Sequence, residues 1–103
     1  MPRLSPIALV LVGAALVGPA CAPRVPPVVT AADAQRVQLP LADLDQGRTL
    51  TIRKCGRCHD TPMPNDHSAA EWPELIGEMA ERSKLEGDER TTIVRYLVAM
   101  TPR

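Results

Sequence analysis

Cys55-Gly56-Arg57-Cys58-His59 is the stretch whose reading decides this chain. Two thiols three residues apart, with an imidazole directly after them, have the spacing that attaches a c-type haem. Each thiol adds to one of two vinyl groups on one edge of the macrocycle, so the sulfurs must sit about one helical turn apart. Cys55 and Cys58, at i and i+3, share a helix face and meet that need. His59 then projects beneath the ring and offers a neutral nitrogen to the iron as proximal ligand. Three plainer readings fit less well. A thioredoxin-like redox pair belongs near a βαβ pattern, which the sequence lacks. A zinc site needs a second pair of ligands at matching spacing, and His67 is the only other histidine. A disulfide between residues so close would staple almost no chain.

Upstream of this stretch the composition changes twice. Residues 1–20 carry one early basic residue, Arg3, then an apolar run from Ile7 to Val17 and small residues before Cys21. The run is too short to span a bilayer and has the flanks of a cleaved signal peptide. Export suits a haem attached by thioethers, so a periplasmic location is expected. Leu16-Val17-Gly18-Pro19-Ala20-Cys21 is similar to a lipoprotein box, although Pro19 and the residue three before the cysteine depart from the usual pattern. The rival is cleavage after Ala22, which would leave Pro23 just past the cut. With two of the three cysteines assigned to haem, Cys21 is an odd thiol in an exported protein, and acylation accounts for it.

Residues 21–40 read as a Pro-rich tether, interrupted at Pro23, Pro26, Pro27 and Pro40 and without helical period. Its part from Ala22 to Leu39, stiff and extended, would span roughly 55 Å at about 3.1 Å per residue. Residues 41–103 form the expected domain. Arg3 is the one basic residue of twelve that falls in the leader, so the mature chain stays near neutral against twelve acidic residues. No basic stripe points to nucleic acid. With no Phe, one Trp and one Tyr, the core is thin for so small a domain. A covalently held apolar disc would supply much of what is missing, so the chain without haem is expected to be largely unfolded.

Three helices are expected, and no segment alternates convincingly as a strand. The first runs from Ala42 to Cys58, with Asp43 or Asp45 in its opening turn and Leu44, Gly47, Leu50 and Lys54 near one another. Gly47 inside it costs about 1 kcal/mol against Ala, which close approach by another helix would offset. The loop Asp60-Thr61-Pro62-Met63-Pro64-Asn65-Asp66 follows, where a carbonyl placed by Pro62 is suited to fix the His59 tautomer. Ser68-Ala69-Ala70-Glu71 has the form of a capping box for a second helix, starting at Ala70 or Trp72 and reaching Leu85. Its stripe is Trp72, Leu75, Ile76 and Met79. The last helix starts after Gly87 or Asp88 and ends at Met100, burying Ile93, Val94, Leu97, Val98 and Met100 with Tyr96 beside them.

The second axial position on the iron has four candidates. Met63 lies four residues past His59, at most about 14 Å along the chain, and would have to round the haem edge. Met100 sits on a helix needed to pack against the first. Met79 has twenty residues of slack and shares an apolar stripe, so it is favoured as distal ligand. Met63, His67, Met100 and an open site remain as alternatives, and the plain reading of Met79 is a gap-filling core residue.

Taken together, Gly47, the Cys55-to-His59 motif, Pro62, Trp72, Met79 and Tyr96-Leu97 follow the order found in class I c-type cytochromes. Over residues 43–100 the chain resembles small bacterial mono-haem domains, including cytochrome subunits of periplasmic dehydrogenases such as sulfite dehydrogenase. The resemblance implies an all-α, cytochrome c-like fold of about three helices around one covalent haem c, with Gly47 at the contact of first and last helices. It implies cofactor contacts at Cys55, Cys58, His59 and Met79, and iron ligation by His59 and Met79. The family usually has an aromatic residue where Leu50 or Thr51 stands here, so Tyr96 is expected to fill that space.

The function expected is electron transfer through Fe(III)/Fe(II), as a carrier or as the electron-accepting subunit of an oxidoreductase, and not catalysis by this chain. No second cluster of acid, base or nucleophile suggests otherwise. The alternative is a haem enzyme or gas sensor with an open distal site. Expected partners are redox proteins docking near Arg57 and Met63, with membrane contact only through a lipid on Cys21.

Overall fold

The architecture follows from one close crossing, between the helix that precedes the cysteine motif and the helix that ends the chain. A computed structural model describes residues 13–15, 18, 24–56 and 60–103. Expectations for the leader as a whole, Cys21, Arg57, Cys58 and His59 lie outside the described residues. Among the described residues the protein is all-α, with no strand. The helices are α1 (Ala31–Val37), α2 (Leu41–Leu50), α3 (Trp72–Met79) and α4 (Glu89–Met100). One π-helical turn, Thr51–Cys55, continues α2, and one 3-10 turn spans Pro64–Asp66.

α2 buries Leu44, Gly47 and Leu50, one face of a 3.6-residue repeat. α4 lies across it and buries Ile93, Tyr96, Leu97 and Ala99. Gly47 is where the two backbones meet. A Cβ built on it would lie 2.5 Å from both the Thr92 carbonyl oxygen and Tyr96 Cβ. The expected compensation for a mid-helix glycine is therefore present. α3 adds Trp72 and Ile76 to the same core, and Leu75 and Met79 pack against it half-buried. The buried face of α4 is turned from the one expected: Val98 is 36% exposed, whereas Tyr96 is fully buried. Gly47 opens the space that draws Tyr96 inward.

Two helix ends also differ from expectation. The first helix does not run as a uniform α-helix to the motif, because its last five described residues, Thr51–Cys55, wind as a π turn. Fully buried Thr51 donates its hydroxyl to the Gly47 carbonyl at 2.8 Å, a back-bond that bends helices. α3 stops at Met79 rather than Leu85. The Leu85 amide closes back on the Ala80 carbonyl at 2.9 Å, and Lys84 takes a left-handed φ of 53°. The start of α3 resolves to Trp72, with Pro73 in its first turn. Ser68 donates its amide and hydroxyl to Glu71 Oε2 at 2.8 and 2.7 Å just ahead of that turn.

The largest departure lies in the expected tether. Residues 24–30 form a strap laid along the helices, and α1 follows it. Pro26 and Val29 point inward and are buried, while Val25 and Val28 point out. That is a repeat of three, the period of a polyproline-type strand, not of a helix. Arg48 Nε donates to the Pro26 carbonyl at 3.0 Å, and the Tyr96 hydroxyl donates to the Pro27 carbonyl at 2.7 Å. Arg24 meets Asp66 at 2.6 Å. Thr30 then caps α1 reciprocally with Asp33, whose carboxyl is held below its usual range by the Thr30 hydroxyl and amide. Arg36 closes α1 onto the Ala99 carbonyl at 2.8 Å. Proline density explains the mistaken expectation: it correctly forbids a helix over 24–30 but does not report partners 22 to 69 residues away.

Candidate functional site

Cys55 ends the π turn and is 4% exposed. Burial pushes its thiol pKa upward, so the free side chain is a neutral thiol. A redox-active Cys-x-x-Cys pair relies on a lowered thiol pKa, which the described residues around Cys55 do not supply. The next residue, Gly56, is exposed, yet one side of it is closely approached. A Cβ there would come within 2.9 Å of both the Ile52 carbonyl oxygen and Thr61 Oγ1. Thr61, beyond the motif, thus lies against Gly56. Pro62 and Pro64 follow, both buried.

The loop is fixed from the other side by Trp72. Its indole N–H donates to the Thr101 hydroxyl at 3.1 Å and to the Pro64 carbonyl at 3.3 Å. Thr101 donates in turn to Leu97 and Pro64 carbonyls at 2.7 and 3.1 Å. One tryptophan therefore ties the loop after the motif to both α3 and the end of α4. Its position in the apolar stripe was legible from spacing; its polar role was not, because Thr101 lies beyond the last helix and carries no periodic signal.

The four candidates for distal ligand stand in different surroundings. His67 is exposed and meets Trp72 edge-to-face, ring centroids 5.0 Å apart. Met63 and Met100 line one cleft of about 270 Å³ together with Val25, Pro27 and Pro102. Met63 is further held by the Asp66 carboxylate, which accepts from its amide at 2.9 Å. Met79 stands apart from that cleft, at the last turn of α3 against the core cluster.

Among the described residues no three His, Cys, Asp or Glu side chains come together to hold a metal ion. The donors that the sequence singles out, an imidazole and a thioether, make only two protein ligands. That set suits an iron whose other four positions belong to a macrocycle, and it suits no protein-only zinc site. These donor kinds are ones a haem iron takes, and Cys55 stands buried at the end of the π turn.

No protein-family model matches the chain, and no curated protein or solved structure matches it. Among the described residues no helix is long and apolar enough to cross a membrane.

Proposed function

We propose that this chain carries one covalent c-type haem and transfers single electrons outside the cytoplasm, as a carrier or as the electron-accepting subunit of an oxidoreductase. The observation that carries the reading is the Cys55-Gly56-Arg57-Cys58-His59 stretch, which starts at the end of the π turn continuing α2, with Cys55 buried rather than poised as a thiolate. The proposed family is that of class I c-type cytochromes, with a cytochrome c-like arrangement of α2, α3 and α4.

When bound, the haem supplies reversible Fe(III)/Fe(II) chemistry at an iron whose potential the axial ligands tune. Cys55 and Cys58 would hold the macrocycle through thioethers, and His59 and Met79 would take the two axial positions. The loop after His59 keeps its own shape through Trp72 and Thr101, and so gives the proximal side a rigid backing. Pro62, buried at the head of that loop, is the residue proposed to place the carbonyl that orients His59. Met79 is favoured over Met63 and Met100, which line one cleft between the strap, the loop and the end of α4, and over His67, which is engaged with Trp72.

The test is the oxidised visible and near-infrared spectrum of protein produced with haem-attachment machinery, beside Met79→Ala. A weak long-wavelength sulfur-to-iron band that disappears in the variant is the expected result. A colourless protein would end the haem reading. A parent without the band, binding carbon monoxide or cyanide rapidly, would instead favour an enzyme or gas sensor with an open site.

A further inference from the structure

We propose that the outer face of the strap, centred on Val25 and Val28, rests on a lipid surface and holds the domain at the membrane in one orientation. The proposal builds on the reading of Cys21 as an acylated residue. Val25 and Val28 are 56% and 65% exposed, the most exposed large apolar side chains among the described residues. They cannot turn inward, because Pro26 and Val29 occupy the inward positions of the same three-residue repeat. The backbone beneath them is fixed by Arg48 on the Pro26 carbonyl and by Tyr96 on the Pro27 carbonyl. Two valines therefore project from a rigid support, which is how an apolar contact is presented and not how a flexible spacer behaves.

The occupant follows from chain length. Cys21 lies three residues before Arg24, which pairs with Asp66, so at most about 11 Å of chain separates the two. A thioether-linked diacylglycerol on Cys21 would thus bring Val25 and Val28 to the headgroup boundary, where apolar side chains seat about 5–10 Å deep. The cleft beside Val25, lined also by Met63 and Met100, extends the apolar surface on that side. A reach of roughly 55 Å, expected of an extended tether, is replaced by a leash too short to let the domain rotate freely.

The test uses the full-length haem-loaded protein added to preformed phosphatidylcholine vesicles. Val28→Cys and Glu78→Cys are compared for their reaction with a polyethylene-glycol maleimide, each also in a Cys21→Ser background free in solution. Both positions are exposed, so neither change should disturb folding. The Val28→Cys reaction is expected to slow about tenfold on vesicles relative to solution, as burial in the headgroup region requires, while Glu78→Cys reacts equally in both. Equal rates for Val28→Cys, or protection of Glu78→Cys instead, would overturn the orientation. Parent chain that takes the reagent at Cys21 and stays off the vesicles would remove the anchor, and this proposal with it. The visible spectrum reports the haem reading separately in every case.

Discussion

Replacing Gly47 with Ala tests the crossing of α2 and α4 directly. The added methyl would lie 2.5 Å from the Thr92 carbonyl oxygen and from Tyr96 Cβ. Neither can swing away, since one is backbone and the other is the root of a fully buried side chain. Relief requires the two helices to separate, which loosens Leu44, Ile93 and Leu97 and pulls Tyr96 from the Pro27 carbonyl. Overpacking of this kind costs about 1–3 kcal/mol, and this overlap belongs at or above the upper end. The better helix propensity of Ala returns about 1 kcal/mol. The expected net loss is about 2 kcal/mol, lowering Tm by roughly 10 °C in a domain of this size. Gly77→Ala is the internal control. It too sits inside a helix, but the atom its Cβ would meet is Arg90 Nη2 at 2.6 Å, the far end of a flexible side chain. That variant should match the parent or gain up to about 1 kcal/mol. Thermal unfolding followed by far-ultraviolet circular dichroism reads both. A Gly47→Ala protein as stable as Gly77→Ala would refute the close crossing.

Other expectations rest on single contacts. Burial pushes the Tyr96 phenol up to about 12, above its ordinary value of 10.0, so the unfolded chain loses this proton first on raising pH. Stability from this group is therefore complete below pH 10 and falls between pH 10 and 12, by about 2 kcal/mol, which Tyr96→Phe should abolish in denaturant titrations at successive pH values. Tyr96→Phe at neutral pH should itself cost about 1 kcal/mol through the unpaired Pro27 carbonyl. A Cys55→Ser, Cys58→Ser protein, unable to hold haem covalently, should show little native circular dichroism; a native-like spectrum would mean that the helices support themselves. Thr30→Ala should weaken α1 by about 1 kcal/mol, seen as faster amide exchange over Ala31–Val37.

What the sequence announced and what it hid divide along physical lines. Leu44, Gly47 and Leu50, and Trp72 and Ile76, declare themselves by spacing, because a helix against one neighbour must repeat its apolar face. The ends of α4 were equally plain, from Gly87-Asp88 before it and Pro102 after it. Val98 misled because hydrophobicity does not say which of two adjacent apolar residues faces inward; the glycine opposite Tyr96 decides that. The strap and α1 were hidden for a different reason. Thr30-x-x-Asp33 is a capping signal in plain view, but the prolines around it carry the stronger local signal, that of an extended chain. The partners of the strap, Arg48, Asp66 and Tyr96, are specified by tertiary packing that no local pattern carries. For the site, the thiol and imidazole positions came from the motif alone, whereas the Trp72–Thr101–Pro64 linkage required coordinates.

The reach of the strap across the chain has a consequence for when this protein becomes itself. Tyr96 closes on Pro27 over a separation of 69 residues, and Arg36 on Ala99 over 63. Such contacts are the slow ones, since a long loop must close before they give anything back. A ribosome or a translocation channel delivers residues 24–40 first and α4 last. The early segment must therefore wait, exposed and unsatisfied, for nearly the whole remainder of the chain. Assembly is thus timed by the arrival of the C-terminus, and until then Cys55, buried in the finished fold, stays open to solvent.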